Sequence, residues 1–130
     1  MDTKLNKILA EISAGELIDK ITILEIKKTK ITDVNKLNEI NKELKSLEST
    51  FDQHIDSNKI KDLSKKLKEI NLALWEIENG KRLAEKNNEF GKNFILLARN
   101  VYKFNDERAE IKLKINEILG SNIKEIKSHN

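Results

Sequence analysis

The chain has no cysteine, no proline and only four glycines among its 130 residues. Without cysteine there are no disulfides and no thiolate chemistry, and redox compartment leaves no mark on the composition. Without proline, and with little glycine, nothing prevents long uninterrupted helices. No apolar run approaches the roughly 18 residues that would span a bilayer, so no membrane span is expected. The opening stretch, MDTKLNKILAEISAGE, lacks the apolar core of a secretory signal, which makes the cytoplasm the expected compartment. A charge excess of one sign is missing as well. Charged residues make up 36% of the chain, yet the net charge is only +3. The pI near 9.0 reflects scattered lysines rather than a basic block, so nucleic acid is not an expected partner. The lysines at 59–68 read as a solvated helix face. There is no phosphate loop, dinucleotide fingerprint or catalytic triad. His54 and His129 stand apart without metal-ligand spacing, and neither a metal nor a cofactor is expected.

What is present is a helix-forming mixture dominated by Ile, Leu, Lys, Glu and Asn. Residues 1–12 suit either a helical turn or a short extended arm. Ser13-Ala14-Gly15-Glu16 reads as S-x-x-E, a capping box that opens a helix over 14–30. Leu17, Ile21 and Leu24 lie on one side of it while Ile18, Ile23 and Ile26 point elsewhere, which predicts burial from more than one direction. Thr32-Asp33 is the next cap, and Leu37, Ile40, Leu44, Leu47 and Phe51 carry a second helix over 33–54. After a turn at Asp56-Ser57-Asn58, the third helix carries Ile60, Leu63, Leu67, Ile70, Leu74 and Ile77 as a heptad-like seam. It is expected to continue through Gly80 to about residue 87, at a cost of about 1 kcal/mol relative to alanine there. A turn at 87–91 leads into the fourth helix, closed by Gly120 at a position that favours a left-handed cap. Residues 121–130 form a polar tail with Ile123 and Ile126 as docking points. The economical architecture is all-α: one domain over 1–130, an antiparallel up-down-up-down four-helix bundle with two long C-terminal helices. The arm at 1–12 and the tail at 121–130 are peripheral to it.

The fourth helix holds the most informative feature. Over 94–119 its apolar stripe is Phe94, Leu97, Ala98, Val101, Phe104, Ile111, Ile115 and Leu119. Asn105, Arg108 and Lys112 fall inside that stripe, where polar groups must be hydrogen-bonded or paired. Arg108 is one of only three arginines, with Arg82 and Arg99, among 25 basic residues. In a chain whose Ile, Lys and Asn richness suggests AT-biased coding, a retained arginine points to a need for its planar fork. Counting outward from the turn near residue 89 sets Asn71 level with Arg108, and Trp75 level with Phe104 and Asn105, so Trp75 is predicted to be buried. Glu78 and Arg82 continue the same line. A buried Arg108 requires a carboxylate, and Asp19, Glu25 and Glu78 are the candidates. Glu78 lies about 10 Å too far along the axis at 1.5 Å per residue, which favours the first helix; Lys28 is a further charge from that helix.

Three segments carry a resemblance: GELIDKITILEIKKTKI at 15–31, NLALWEIENGKRLAE at 71–85 and FILLARNVYKFNDERAEIKLKINEILGS at 94–121. They resemble a family of short bacterial proteins catalogued as a domain of unknown function, with GELxDKxxILxIK, NxxLWxIE and VYxxNDxRAxxK motifs. Its pattern maps onto Gly15, Glu16, Asp19, Lys20, Glu25 and Lys28 in the first segment. In the others it maps onto Asn71, Trp75, Glu78, Asn105, Asp106, Arg108 and Lys112. The resemblance implies a helical protein and no activity. Gly80 departs from the acidic or small polar residue the pattern has there. A second likeness, of architecture alone, is to the all-helical chorismate mutases, whose bundles present Arg, Lys and Glu into a pocket.

Two readings of the polar layer follow. It is an internal network that fixes helix register, or it is a pocket in which Arg108 and Lys112 hold an anion, Asn71 and Asn105 orient it, and Trp75 is a wall. The first makes the protein a non-catalytic binding or assembly module, a homo-oligomer or the partner of another protein. The second makes it a small-anion-binding enzyme or sensor. The candidate ligand-binding residues are Asp19, Glu25, Lys28, Asn71, Trp75, Glu78, Asn105, Arg108 and Lys112.

Overall fold

A computed structural model describes residues 4–127. The described residues are all-helical, with no strand: α1 (Ala14–Lys30), α2 (Val34–His54), a single 3-10 turn at Ser57–Lys59, α3 (Lys61–Lys86) and α4 (Lys92–Leu119). Residues 4–12 form no helix and run as an exposed irregular arm. Local chemistry accounts for the boundaries. Asp33 accepts the Lys36 N–H at 3.0 Å and opens α2; Asp56 accepts the Asn58 N–H at 3.0 Å in the turn before α3. α3 runs unbroken through Gly80, because the proline-free sequence around it offers no competing stop. Gly120 adopts φ 64°, and the Ser121 N–H returns to the Asn116 carbonyl at 2.8 Å, the six-to-one bond of a left-handed helix cap.

The capping box at Ser13 forms only halfway. Its Oγ accepts the Glu16 N–H at 3.1 Å, but the Glu16 carboxylate is drawn away to Lys112. The remaining free N–H groups of α1 are satisfied from the end of α4: Ala14 donates to Ser121 Oγ at 3.0 Å and Gly15 to Asn116 Oδ1 at 2.6 Å. Gly15 permits that approach. A Cβ there would lie 2.6 Å from the Lys112 carbonyl oxygen. Asn116 is fully buried, and its Nδ2 is the one buried side-chain nitrogen without a hydrogen-bond partner among the described residues.

α1 is the hub of the packing. It lies against α2, α3 and α4, and α3 lies against α4, whereas α2 rests chiefly on α1. The main core joins Ile18, Ile60, Leu67, Ile70, Ile111 and Ile115, with Phe51 and Ile55 reaching it from the end of α2. A second cluster joins Leu24 to Ile40 and Leu44. Burial of α1 on two sides therefore follows from a helix that divides two cores, each buried Leu or Ile contributing about 1.5–3 kcal/mol. The fourth helix departs from expectation in its first half. Its apolar stripe is buried only at Ile111 and Ile115, level with the start of α1, while Phe94, Leu97 and Val101 are half-buried and Ala98 is exposed. The tail departs as well: Ile126 is 92% exposed and Ile123 37%, so neither docks the segment. Polar groups hold it instead, through Ser121, Glu125 and a Lys127–Asp106 ion pair at 3.2 Å.

Candidate functional site

The polar stretch of α4 meets the first turns of α1 in a buried knot. Asp19 is completely buried, and its carboxylate accepts from Arg108 Nε at 3.0 and 3.2 Å and from Arg108 Nη2. The guanidinium thus meets the carboxylate edge-on, the two-pronged geometry that lysine cannot supply. Asn71, buried on α3, donates to Asp19 Oδ1 and to Thr22 Oγ1, each at 2.8 Å. Thr22 passes its own hydrogen to the Asp19 carbonyl at 2.8 Å. One turn along α4, Lys112 Nζ bonds Glu16 at 2.6 Å and Glu125 at 3.0 Å, with Asp19 at 3.6 Å. Ser13 Oγ donates to the other Glu125 oxygen at 2.9 Å. Three elements and the tail are therefore tied through one chain of charges.

The electrostatics follow from this geometry. Burial would raise the Asp19 carboxyl, but hydrogen bonds from Arg108 and Asn71, with the charges of Arg108 and Lys112, outweigh it and hold the group below the usual carboxylate range. Burial would likewise lower Lys112, yet its bonds to Glu16 and Glu125 and the Asp19 charge hold the ammonium above its ordinary value. The Asp19 hydrogen bonds raise Arg108 further. A depressed carboxyl contributes stability that is present above its unfolded pKa, about 4, and lost as pH falls through the lower folded value. A raised lysine contributes stability present below its unfolded pKa, about 10.4, and lost as pH rises through the folded value. The expected result is a melting difference between the wild type and an Asp19→Leu/Arg108→Met variant that narrows below pH 4. Calorimetric melts between pH 2.5 and 7 measure it, and a constant gap would remove Asp19 from the acid transition.

Of the residues expected in the layer, Asp19, Asn71, Arg108 and Lys112 meet. Asn105 lies at the edge, exposed, with Oδ1 3.4 Å from Arg108 Nη1. Glu25 is not part of it: its carboxylate faces Lys68 at 3.6 Å on the surface, because residue 25, six positions beyond Asp19, lies about 120° round the helix from it. Lys28 is exposed and has no ion pair among the described residues. Glu78 pairs with Lys81 at 3.3 Å, on its own helix, in keeping with its axial distance from Arg108. His129 lies outside the described residues.

Trp75 corrects the expectation of burial. It is half-buried and lines an open groove of about 430 Å³ beside the knot. The groove runs along one face of α3, from Asn71 through Leu74, Trp75, Glu78 and Asn79 to Arg82. Ile23 and Ile26 of α1 form the opposite wall, and Arg108 closes one end. Sequence reasoning missed Glu16, Thr22 and Glu125 as members of the knot. Glu16 had a competing role in the capping box, and nothing in the polar tail marked residue 125 as near Lys112. The arrangement offers fixed charges and a groove. Among the described residues, no group of His, Cys, Asp and Glu could hold a metal ion.

No curated protein and no solved structure matches the chain. A family model matches residues 8–130, a span that includes the three motif segments and every residue of the knot. The chain belongs to that family, DUF6165, a family of unknown function.

Proposed function

We propose that the chain is one domain acting in the cytoplasm as a non-catalytic binding and assembly module, and that it works as a homodimer. The observation behind this reading is the distribution of apolar surface. The knot is closed by its own carboxylates, while the far end of α3 and α4 exposes Leu83, Phe90, Ile95, Leu96 and Tyr102, each at least half accessible. Large contiguous apolar patches rimmed by polar residues mark association sites. Ile95 and Tyr102 lie seven residues apart and share a face of α4. Glu85, Lys86, Glu89 and Lys92 border the patch with both signs, which lets one copy of it face another. α3 and α4, of 26 and 28 residues, are the longest elements, and we read them as an antiparallel hairpin within a bundle. In support, Gly80 lies against Leu97, and Asn71 and Arg108 converge on Asp19.

We also take the three motif segments as the family's signature in bacterial members, since they supply Asp19, Asn71, Arg108 and Lys112. The opposing reading, an anion-binding enzyme or sensor that uses the layer itself, is weakened because Arg108 and Lys112 already face Asp19, Glu16 and Glu125. Light scattering at micromolar concentration is expected to give twice the 15.0 kDa chain mass. An Ile95→Glu/Leu96→Glu variant should return the monomer with its fold intact. A wild-type monomer across this range would overturn the reading.

A further inference from the structure

We propose that the groove beside the knot binds a small carboxylate with an apolar body, its charge held by Arg82 and its body lying over Trp75. This goes beyond the assembly role and does not depend on it. Three charged side chains line the groove: Arg108, Glu78 and Arg82. Arg108, at one end, is neutralised by the buried Asp19. Glu78, midway, is neutralised by Lys81. Arg82, at the other end, is exposed and makes no ion pair among the described residues, which leaves the groove with one uncompensated positive charge. A guanidinium fork matches a carboxylate two-pronged, and the Asn79 amide lies one turn before it on the same face of α3.

Apart from Asn71, which is bonded to Asp19 and Thr22, the rest of the groove is apolar. Ile23 and Ile26 face Leu74 and Trp75 across it, and its volume of about 430 Å³ lies in the range of small-molecule pockets. From Leu74 to Arg82 the helix advances about 12 Å, room for a chain of eight or so carbons with its head at Arg82. The preorganised part is the Arg108 end. There Asp19, Asn71 and Thr22 fix the helices so that the floor exists before a ligand arrives.

Trp75 is the only tryptophan, so its emission reports on the groove alone. Octanoate below its micellar concentration is expected to shift and saturate that emission, whereas acetate and octylammonium leave it unchanged. Octan-1-ol, with the same body and no charge, should bind at least tenfold more weakly. Arg82→Gln should weaken octanoate at least tenfold without moving the thermal midpoint, since Arg82 has no ion pair to lose among the described residues, and Arg82→Lys should fall between. Equal binding of octanoate and octanol, binding of octylammonium, or an Arg82→Gln variant that binds octanoate as the wild type does would each overturn the proposal.

Discussion

Replacing Arg108 with methionine is expected to destabilise the fold by about 3–5 kcal/mol, the range for breaking a buried pair from one side. Methionine keeps volume and apolar character, so the loss is not one of packing. It arises because Asp19, with no exposed surface, keeps its charge and loses both prongs of its partner. Asn71 and a lysine at 3.6 Å are what remain to it. The reverse change, Asp19→Leu, should cost less. The Arg108 side chain is 29% exposed and can turn its charge towards water. The double variant Asp19→Leu/Arg108→Met should recover much of the loss, but not all of it. With the carboxylate gone, Asn71 keeps its bond to Thr22 and loses the one to Asp19, which leaves one buried N–H unpaired at about 1–3 kcal/mol. Adding Asn71→Leu removes that orphan and should bring the remainder back. Denaturant melts of the four variants test the scheme, and a double variant no more stable than Arg108→Met would sink the paired-network account.

Gly15→Ala is expected to be nearly as damaging, about 3 kcal/mol, at the upper end for overpacking. Helix propensity predicts the opposite sign, since alanine gains up to about 1 kcal/mol over glycine inside a helix. The deciding distance is the 2.6 Å between a Cβ at position 15 and the Lys112 carbonyl oxygen, with Asn116 Oδ1 at 3.0 Å. The first of these obstacles is helix backbone, so relief requires moving α1 away from α4. That movement also stretches the Gly15–Asn116 cap and the Lys112–Glu16 bond. Gly80→Ala is the matched control. Its nearest neighbours would all belong to Leu97, Cδ1 at 3.2 Å and Cδ2 at 3.5 Å, a side-chain end beside an open cavity into which it can rotate. That variant should be neutral or gain up to about 1 kcal/mol. If both alanines raise stability alike, the close crossing of α1 and α4 is not what glycine provides.

Much of this protein was legible before any tertiary contact was known. The four helices, their caps at Ser13, Asp33 and Gly120, and the need of Arg108 for a carboxylate from the first helix follow from local spacing. Hydrogen-bond demand at each chain position is a local property, and periodicity shows which groups face inward. The tertiary structure decided which partner answers that demand. Asp19 and Glu25 were equal by type, but α1's orientation turned one into the knot and left the other beside Lys68. Counting along two helices places Trp75 inside, yet whether a third element covers it depends on how α1 packs. Ile23 and Ile26 of α1 wall that space without closing over Trp75, which leaves an open groove. Gly15 looked like part of a cap, and only the crossing distance to Lys112 shows that the missing Cβ matters more than the cap. Long-range contacts, such as Ser13 with Glu125 across 112 residues of chain, depend on how whole helices pack. No local pattern encodes them, because a side chain's periodicity fixes the face it presents and not what arrives to meet it.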